Sequence, residues 1–436
     1  MTRIFRHIVA GVLCVLGCLA LSCQKAEPYR ITPDNRVFIR FNVAAIDAAI
    51  DAAIDGGSGL SGETPSVYAA SDPHAASEAE QAAQAEQVHT LRVVIVSQDP
   101  SGAWTVEANE FYAYDGIAEG VKDMTLAITD GRKKKVYLFA NCDIAEIRDA
   151  DGRVVSLGEP DAYRPDVTGK VPVMDYRFTW AAGDKPAWIP MSAVYDLDVP
   201  EKEDLPVVSD VHYYRVAKPL YLVRAVTKFS FSYKNTSASR VPANIQIRDW
   251  KISAVAAGES YLLAHVADNW RETTKPSGAY ADWKEWLVAE AQKTRQAGAD
   301  PKDYEWLTAY DLPKSGEGSH KDYGYEYPNG SQYYMYPKDG MNTLVPPSHY
   351  LPESKYVSAD GVQHYLVTFK TWEWEPDSAY TTGLSMTYTA ELPYLQSLFR
   401  NTEVKLSVEF KGDAVALQAT VCPWTKHDDI EIPPFE

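Results

Sequence analysis

Apolar and polar residues alternate through Arg36-Val37-Phe38-Ile39-Arg40-Phe41-Asn42-Val43, the two-residue period of a strand with one face in a core. Val37, Ile39, Phe41 and Val43 share the apolar face. Buried-strand runs follow at Leu91–Val96, Trp104–Val106, Met124–Ile128 and Lys135–Asn141. Ser101-Gly102 marks one turn, and Asp130-Gly131 reads as a hairpin-type turn. Trp188–Met191 and Tyr195–Val199 read as edge strands. In the second half Phe229, Phe231 and Tyr233 fall on one face, with Lys228, Ser230 and Ser232 on the other. Ile245–Ile247, Trp250–Ile252, Gln363–Trp374, Leu384–Glu391, Glu403–Phe410 and Ala414–Cys422 continue the pattern. Short strands separated by turn signals predict an all-β chain of β-sandwiches. The acidic, proline-punctuated stretch from Pro200 to Pro206 divides it into an N-terminal domain over 36–205 and a C-terminal domain over 206–436.

Two stretches break the rhythm. Ala44-Ala45-Ile46-Asp47 is repeated at 48–51 and 52–55, then come a Gly/Ser-rich break and an Ala/Glu/Gln segment. Between Phe41 and Leu91 there are eight acids and neither Lys nor Arg, so 44–88 reads as an acidic linker. Residues 268–345 read as an insertion. Asp282 can cap a short helix carrying Trp283 and Trp286, and a Tyr-rich, Gly/Pro-broken loop follows it. Trp283, Trp286, Tyr333 and Tyr334 form a candidate ligand surface, because flat aromatic faces stack on sugar rings. The alternative is that these rings pack the insertion onto the second sandwich.

The N-terminus changes the picture. Arg3, Arg6 and His7 precede an apolar run from Ile8 to Leu21, which is signal-peptide length. It ends in Ala20-Leu21-Ser22-Cys23, the form of a bacterial lipobox in which the cysteine thiol is alkylated by diacylglycerol. Residues 1–22 are then a lipoprotein signal peptide, Cys23 the lipid anchor, and 23–35 a polar tether. Several acyl chains at about 0.8 kcal/mol per buried CH₂ give stable membrane attachment. The net charge of -18 becomes more negative once the signal is removed, which argues against nucleic-acid binding. Cys142 and Cys422 read as separate thiols in different sheets. The chain lacks Gly-x-Ser-x-Gly, His-Glu-x-x-His, paired Cys-x-x-Cys and phosphate-cradling glycine loops, so no enzyme, cofactor or metal site is expected. Glu373 and Glu375, flanked by Trp372 and Trp374, read as structural acids.

Four segments together resemble the fimbrillin family of Bacteroidales-type surface pili. They are the strand pair Leu91–Val96 with Lys135–Asn141; Leu222-Val223-Arg224-Ala225-Val226-Thr227-Lys228-Phe229; the Arg400-Asn401-Thr402 entry to a late strand; and the closing Val421-Cys422-Pro423-Trp424. The resemblance implies two transthyretin-like β-sandwich domains, an outer-membrane lipoprotein and assembly with other fimbrial subunits by strand exchange. It implies that a trypsin-like protease removes the first strand, at Arg40 or Arg92 here, and that a neighbour's C-terminal segment fills the vacated place. Val37, Ile39, Phe41 and Val43 would fill that place until removal, and Ile430 and Ile432 would be the donor residues. The basic-free linker departs from the family and points to a retained first strand, hence an anchor or accessory subunit. The competing expectation is a non-polymerising lipoprotein that binds glycans through 268–345.

Overall fold

The computed structural model describes residues 35–45, 84–117, 121–142, 146–179, 188–236, 244–256, 259–265, 295–296, 314–315, 320–327, 333–335, 343–346, 348–356, 365–374, 382–392, 397–398, 400–411 and 414–423. In chain order the strands of the first half are β1 (Arg36–Ala45), β2 (Val88–Gln98), β3 (Trp104–Ile117), β4 (Val121–Thr129), β5 (Arg132–Ala140), β6 (Ile147–Arg148), β7 (Arg177–Thr179), β8 (Met191–Val199), β9 (Val207–Val208), β10 (Val211–Arg215) and β11 (Leu220–Arg224). Those of the second half are β12 (Val226–Asn235), β13 (Asn244–Ala256), β14 (Glu259–Tyr261), β15 (Arg295–Gln296), β16 (Lys314–Ser315), β17 (His320–Glu326), β18 (Tyr334–Met335), β19 (Thr343–Leu344), β20 (His349–Pro352), β21 (Ser354–Tyr356), β22 (Tyr365–Trp374), β23 (Gly383–Leu392), β24 (Ser397–Leu398), β25 (Thr402–Lys411) and β26 (Ala414–Pro423). The described chain is nearly all β, as its alternating pattern predicts.

The first sheet runs β3-β2-β5-β8-β11-β1-β10-β9, with β4 on the other edge of β1. It folds over on itself. Val37, Ile39 and Phe41 from β1 and Leu126 and Ile128 from β4 pack against Leu91, Val93, Val136 and Leu138 from β2 and β5. The opposite faces of β2 and β5 are buried as well. Their Val94, Val96, Tyr137 and Phe139 enter a second core with Tyr163, Val173 and Phe178, which continues into Phe229, Phe231, Tyr233 and Trp250 of the second half. Burial on both faces explains why Leu91–Val96 reads as an unbroken apolar run rather than an alternation. The second half is built on a sheet β15-β26-β25-β12-β19 and a sheet β17-β13-β22-β23.

Three expectations are corrected. Asp130-Gly131 does form a turn, with Gly131 at φ 52, but it is no hairpin. β4 pairs with β1 and β5 pairs with β2 and β8, so the chain crosses between layers there. Turn chemistry fixes a reversal of direction and leaves the pairing partner open. Residues 191–199 form one strand, paired along its length with β5 and with β11 only at Met191 and Ser192, so the Met191 end is internal while Tyr195–Val199 has the one-sided pairing of the edge strand the sequence predicts. The polar face of β12 is buried too, because Lys228 pairs with Glu86 at 3.2 Å and Ser230 bonds to Glu403 and Ser348. Strands β9 to β11, residues 207–224, pair within the first sheet, and the chain passes to the second at Ala225.

Burial raises the phenols of Tyr137, Tyr233 and Tyr388 above their ordinary 10.0. Above pH 10 the unfolded chain therefore loses these protons before the folded one, so the fold binds more protons and stability falls as pH rises. Urea midpoints measured from pH 9 to 11.5 are expected to drop past pH 10, and Tyr137→Phe should flatten that drop.

Candidate functional site

β1 lies inside the first sheet. Its residues 36–43 pair antiparallel with β4, while Phe38–Arg40 pair parallel with β10 and Val43–Ala45 parallel with β11. Val37, Ile39, Phe41 and Val43 are each at most 2% exposed. Burying four such side chains contributes roughly 1.5–3 kcal/mol apiece, which together rivals the whole stability of a typical domain. The strand is thus integral to the core, and in sequence residues 46–83 separate it from the next described segment.

Both arginines flagged for processing are held in ladders. Arg40 points its guanidinium outward to Asp123 at 2.8 Å, but its backbone is paired on both sides, to Thr125 and to Arg215. Arg92 sits in β2 between Phe111 of β3 and Phe139 of β5, and its Nη1 donates to Asn109 Oδ1 at 2.9 Å. β2 is internal, so Arg92 has no strand edge of its own to fray.

The chain re-enters the fold after the linker through a tightly fastened segment, 84–90. Asn141, in the left-handed region at φ 58, accepts at Oδ1 from the backbone N–H groups of His89 and Thr90 and donates from Nδ2 to the carbonyls of Gln87 and Ile189. Asparagine tolerates that backbone region and carries both donor and acceptor. Ile189 N–H donates to Ala85 O, the His89 ring stacks on Trp188 at 4.5 Å, and Tyr350 Oη donates to Glu86 at 2.9 Å.

The other segments that carried the family resemblance meet nearby. Arg224, fully buried, donates through Nη1 to Asn401 Oδ1 at 3.2 Å, and Asn401 N–H donates to Val226 O. Arg400 grips Glu353 with both side chains inside, 1% and 2% exposed. It also donates to the carbonyls of Tyr261 and Leu262, at 2.7 and 3.3 Å. The residues singled out by motif are therefore ties at the junction of the two halves.

The aromatic candidates separate. Tyr333 is buried, its ring 4.3 Å from that of Tyr327, so it offers no stacking face; here the ring packs the fold. Tyr334 is half-buried on an outer sheet face and stacks on Trp374 at 5.3 Å. Glu373 accepts from Thr371 Oγ1 at 2.7 Å and Tyr388 Oη at 2.6 Å, a structural acid. Cys142 is buried at the end of β5, and Cys422 stands opposite Glu403 in the other half's sheet. Cys23, Ile430, Ile432, Trp283, Trp286 and Glu375 lie outside the described residues.

A buried ion pair that the sequence reading missed lies at the Arg36 end of β1. Glu107 is the extra residue of a bulge in β3, between Val106 opposite Val96 and Ala108 opposite Ile95. The bulge turns its carboxylate inward. There it meets Lys134 Nζ at 2.9 Å, the two side chains 1% and 0% exposed. Lys134 also donates to Ser97 Oγ at 3.0 Å and Thr129 Oγ1 at 2.6 Å, so β2, β3, β4 and β5 converge on one ammonium. Burial depresses this amine from its ordinary 10.5 to about 8 in spite of Glu107.

These features define a class: an all-β protein of layered sandwiches whose first strand lies inside a sheet. No protein-family model matches the chain, and no curated protein sequence matches it. Among solved structures it is similar to the tip fimbrial protein Mfa3 of Porphyromonas gingivalis, at 10% identity and a TM-score of 0.41, over 89% of this chain and 100% of that one. It is also similar to a fimbrial assembly protein of Parabacteroides distasonis, at 6% identity and a TM-score of 0.37, over 88% of this chain and 94% of that one.

Proposed function

We propose that the chain is a structural, adhesive subunit of a fimbrial assembly on the cell surface, lipid-anchored to the outer membrane through Cys23, with the place of β1 as its joint to other subunits. The observation that carries this is the position of β1: core-forming, bonded along both edges, and separated in sequence from the next described segment by a long acidic stretch. A strand so placed can be exchanged for an equivalent one from another chain, which would restore both the backbone ladders and the apolar filling. Spontaneous departure is too unfavourable, since it would expose four core side chains and two strand edges at once. Exchange therefore needs a replacement strand or proteolysis before the sheet closes.

In this chain a trypsin-like protease does not free β1 once the sheet has closed, so exchange requires a replacement strand. Arg40 and Arg92 both have their backbones in ladders, and proteases bind substrates as extended, unpaired segments. Trypsin added to the folded protein is expected to leave β1 attached, with Edman sequencing of the treated, re-isolated product still giving a start upstream of Arg36. A new terminus at Val93 would overturn the retained strand and the anchor or accessory role that follows from it. Assembly itself is tested by electrophoresis of surface material: an SDS-resistant ladder before boiling is expected, and a monomer alone would overturn the subunit reading.

A further inference from the structure

The outer face of the β17-β13-β22-β23 sheet carries large aromatic rings that take no part in either core. Side chains of β22 alternate, with Tyr365, Val367, Phe369 and Thr371 buried and the even-numbered residues turned outward. Trp372 and Trp374 are therefore on the outer face, their rings 6.4 Å apart. Tyr334 of β18 joins them, since β18 and β22 flank β13 at Gln246. Arg248 is the extra residue of a bulge between Ile247 and Asp249, and its guanidinium lies 4.8 Å from the Trp372 ring. Its Nε donates to Gln246 Oε1 at 3.1 Å, which fixes the planar group. On β23 Gly383 stands opposite Trp374, and a Cβ there would lie 2.6 Å from Trp372 Nε1. The missing side chain lets the indole lie across the outermost strand.

We infer that Tyr334, Trp372, Trp374 and Arg248 form a binding platform for a neutral glycan. Indole and phenol rings give apolar faces for the C–H side of a pyranose, with a polar tip for its rim. Arg248 supplies donors for hydroxyls, and the buried Gln246 holds it in place. A bulge that aims a charged side chain over an aromatic ring is a common companion of binding sites. The net charge of -18 disfavours acidic polysaccharides. The one ion pair alongside, Lys370 with Asp249 at 3.0 Å, is internally neutral. This site is independent of strand exchange.

The test is a fluorescence titration of the full chain with a panel of neutral hexose and N-acetylhexosamine oligosaccharides, with hyaluronan and heparin as acidic arms. A saturable change in tryptophan emission with at least one neutral oligosaccharide is expected. Trp374→Ala and Tyr334→Ala should each weaken it roughly tenfold, Trp374→Phe less, and Trp104→Phe not at all. Arg248→Gln, which leaves the rings in place, should also weaken it. No saturable response to any neutral member, a preference for the acidic arms, or an unchanged affinity in the Trp374, Tyr334 and Arg248 variants would overturn the proposal. A circular-dichroism spectrum matching the parent qualifies each variant, and the Phe and Gln replacements stand if an Ala variant misfolds.

Discussion

Arg400→Met is expected to destabilise the protein by about 3–5 kcal/mol, among the largest effects of any single substitution. The wild-type guanidinium satisfies Glu353 and two carbonyls in a place that water does not reach. Methionine fills much of the volume but leaves a buried carboxylate without its cation and the carbonyls of Tyr261 and Leu262 without those donors. The effect should appear as a lower urea midpoint with an unchanged slope. The double variant Arg400→Met with Glu353→Gln should recover part of the loss, since the stranded charge is then gone. A shift below 1 kcal/mol in the single variant would show that the junction does not depend on this tie.

Lys134→Met should cost a similar amount, about 3–5 kcal/mol, by stranding Glu107. Here the double replacement is more informative. Desolvation outweighs attraction at this pair, because the amine is depressed to about 8 even beside its carboxylate. Replacing both partners with apolar groups, Lys134→Met with Glu107→Leu, should therefore return stability close to that of the parent or above it. The same imbalance has a pH signature. Between pH 8 and 10.5 the unfolded chain holds this proton more firmly than the folded one, so stability contributed by this site rises with pH across that window. The rise should vanish in the double variant. If the double variant is as unstable as the single one, the pair is a net stabiliser and the desolvation argument fails.

Much of the fold was legible because a two-residue period reports burial directly. β1 was readable to within two residues, and β2, β4, β5, β22 and β25 were recognisable from their apolar runs. Pairing was less accessible, as the turn at Asp130-Gly131 and the short ladder of β8 to β11 at Met191 and Ser192 illustrate. Local residues determine that a strand forms, while its neighbours are chosen by contacts distant in sequence. Lys134 could have been found: it shares a face with Val136 and Leu138, and a lysine in phase with core residues demands a buried partner. Glu107 could not, because a bulge shifts the phase just where it acts. Asn141 and Asn401 were flagged only by resemblance; their left-handed backbones then explained why asparagine stands there. The outer aromatic face was hidden for another reason, since Tyr334 and Trp374 are forty residues apart and only the register of β13 brings them together.

Among the described residues, β4 has β1 as its only ladder partner. Any newcomer that takes over from β1 must serve two neighbours of opposite sense, running against β4 and along β10 and β11. A strand inserted backwards would satisfy neither set of bonds as they stand. The proposed strand exchange at this place would therefore be directional, and a row of molecules linked this way would have two unlike ends.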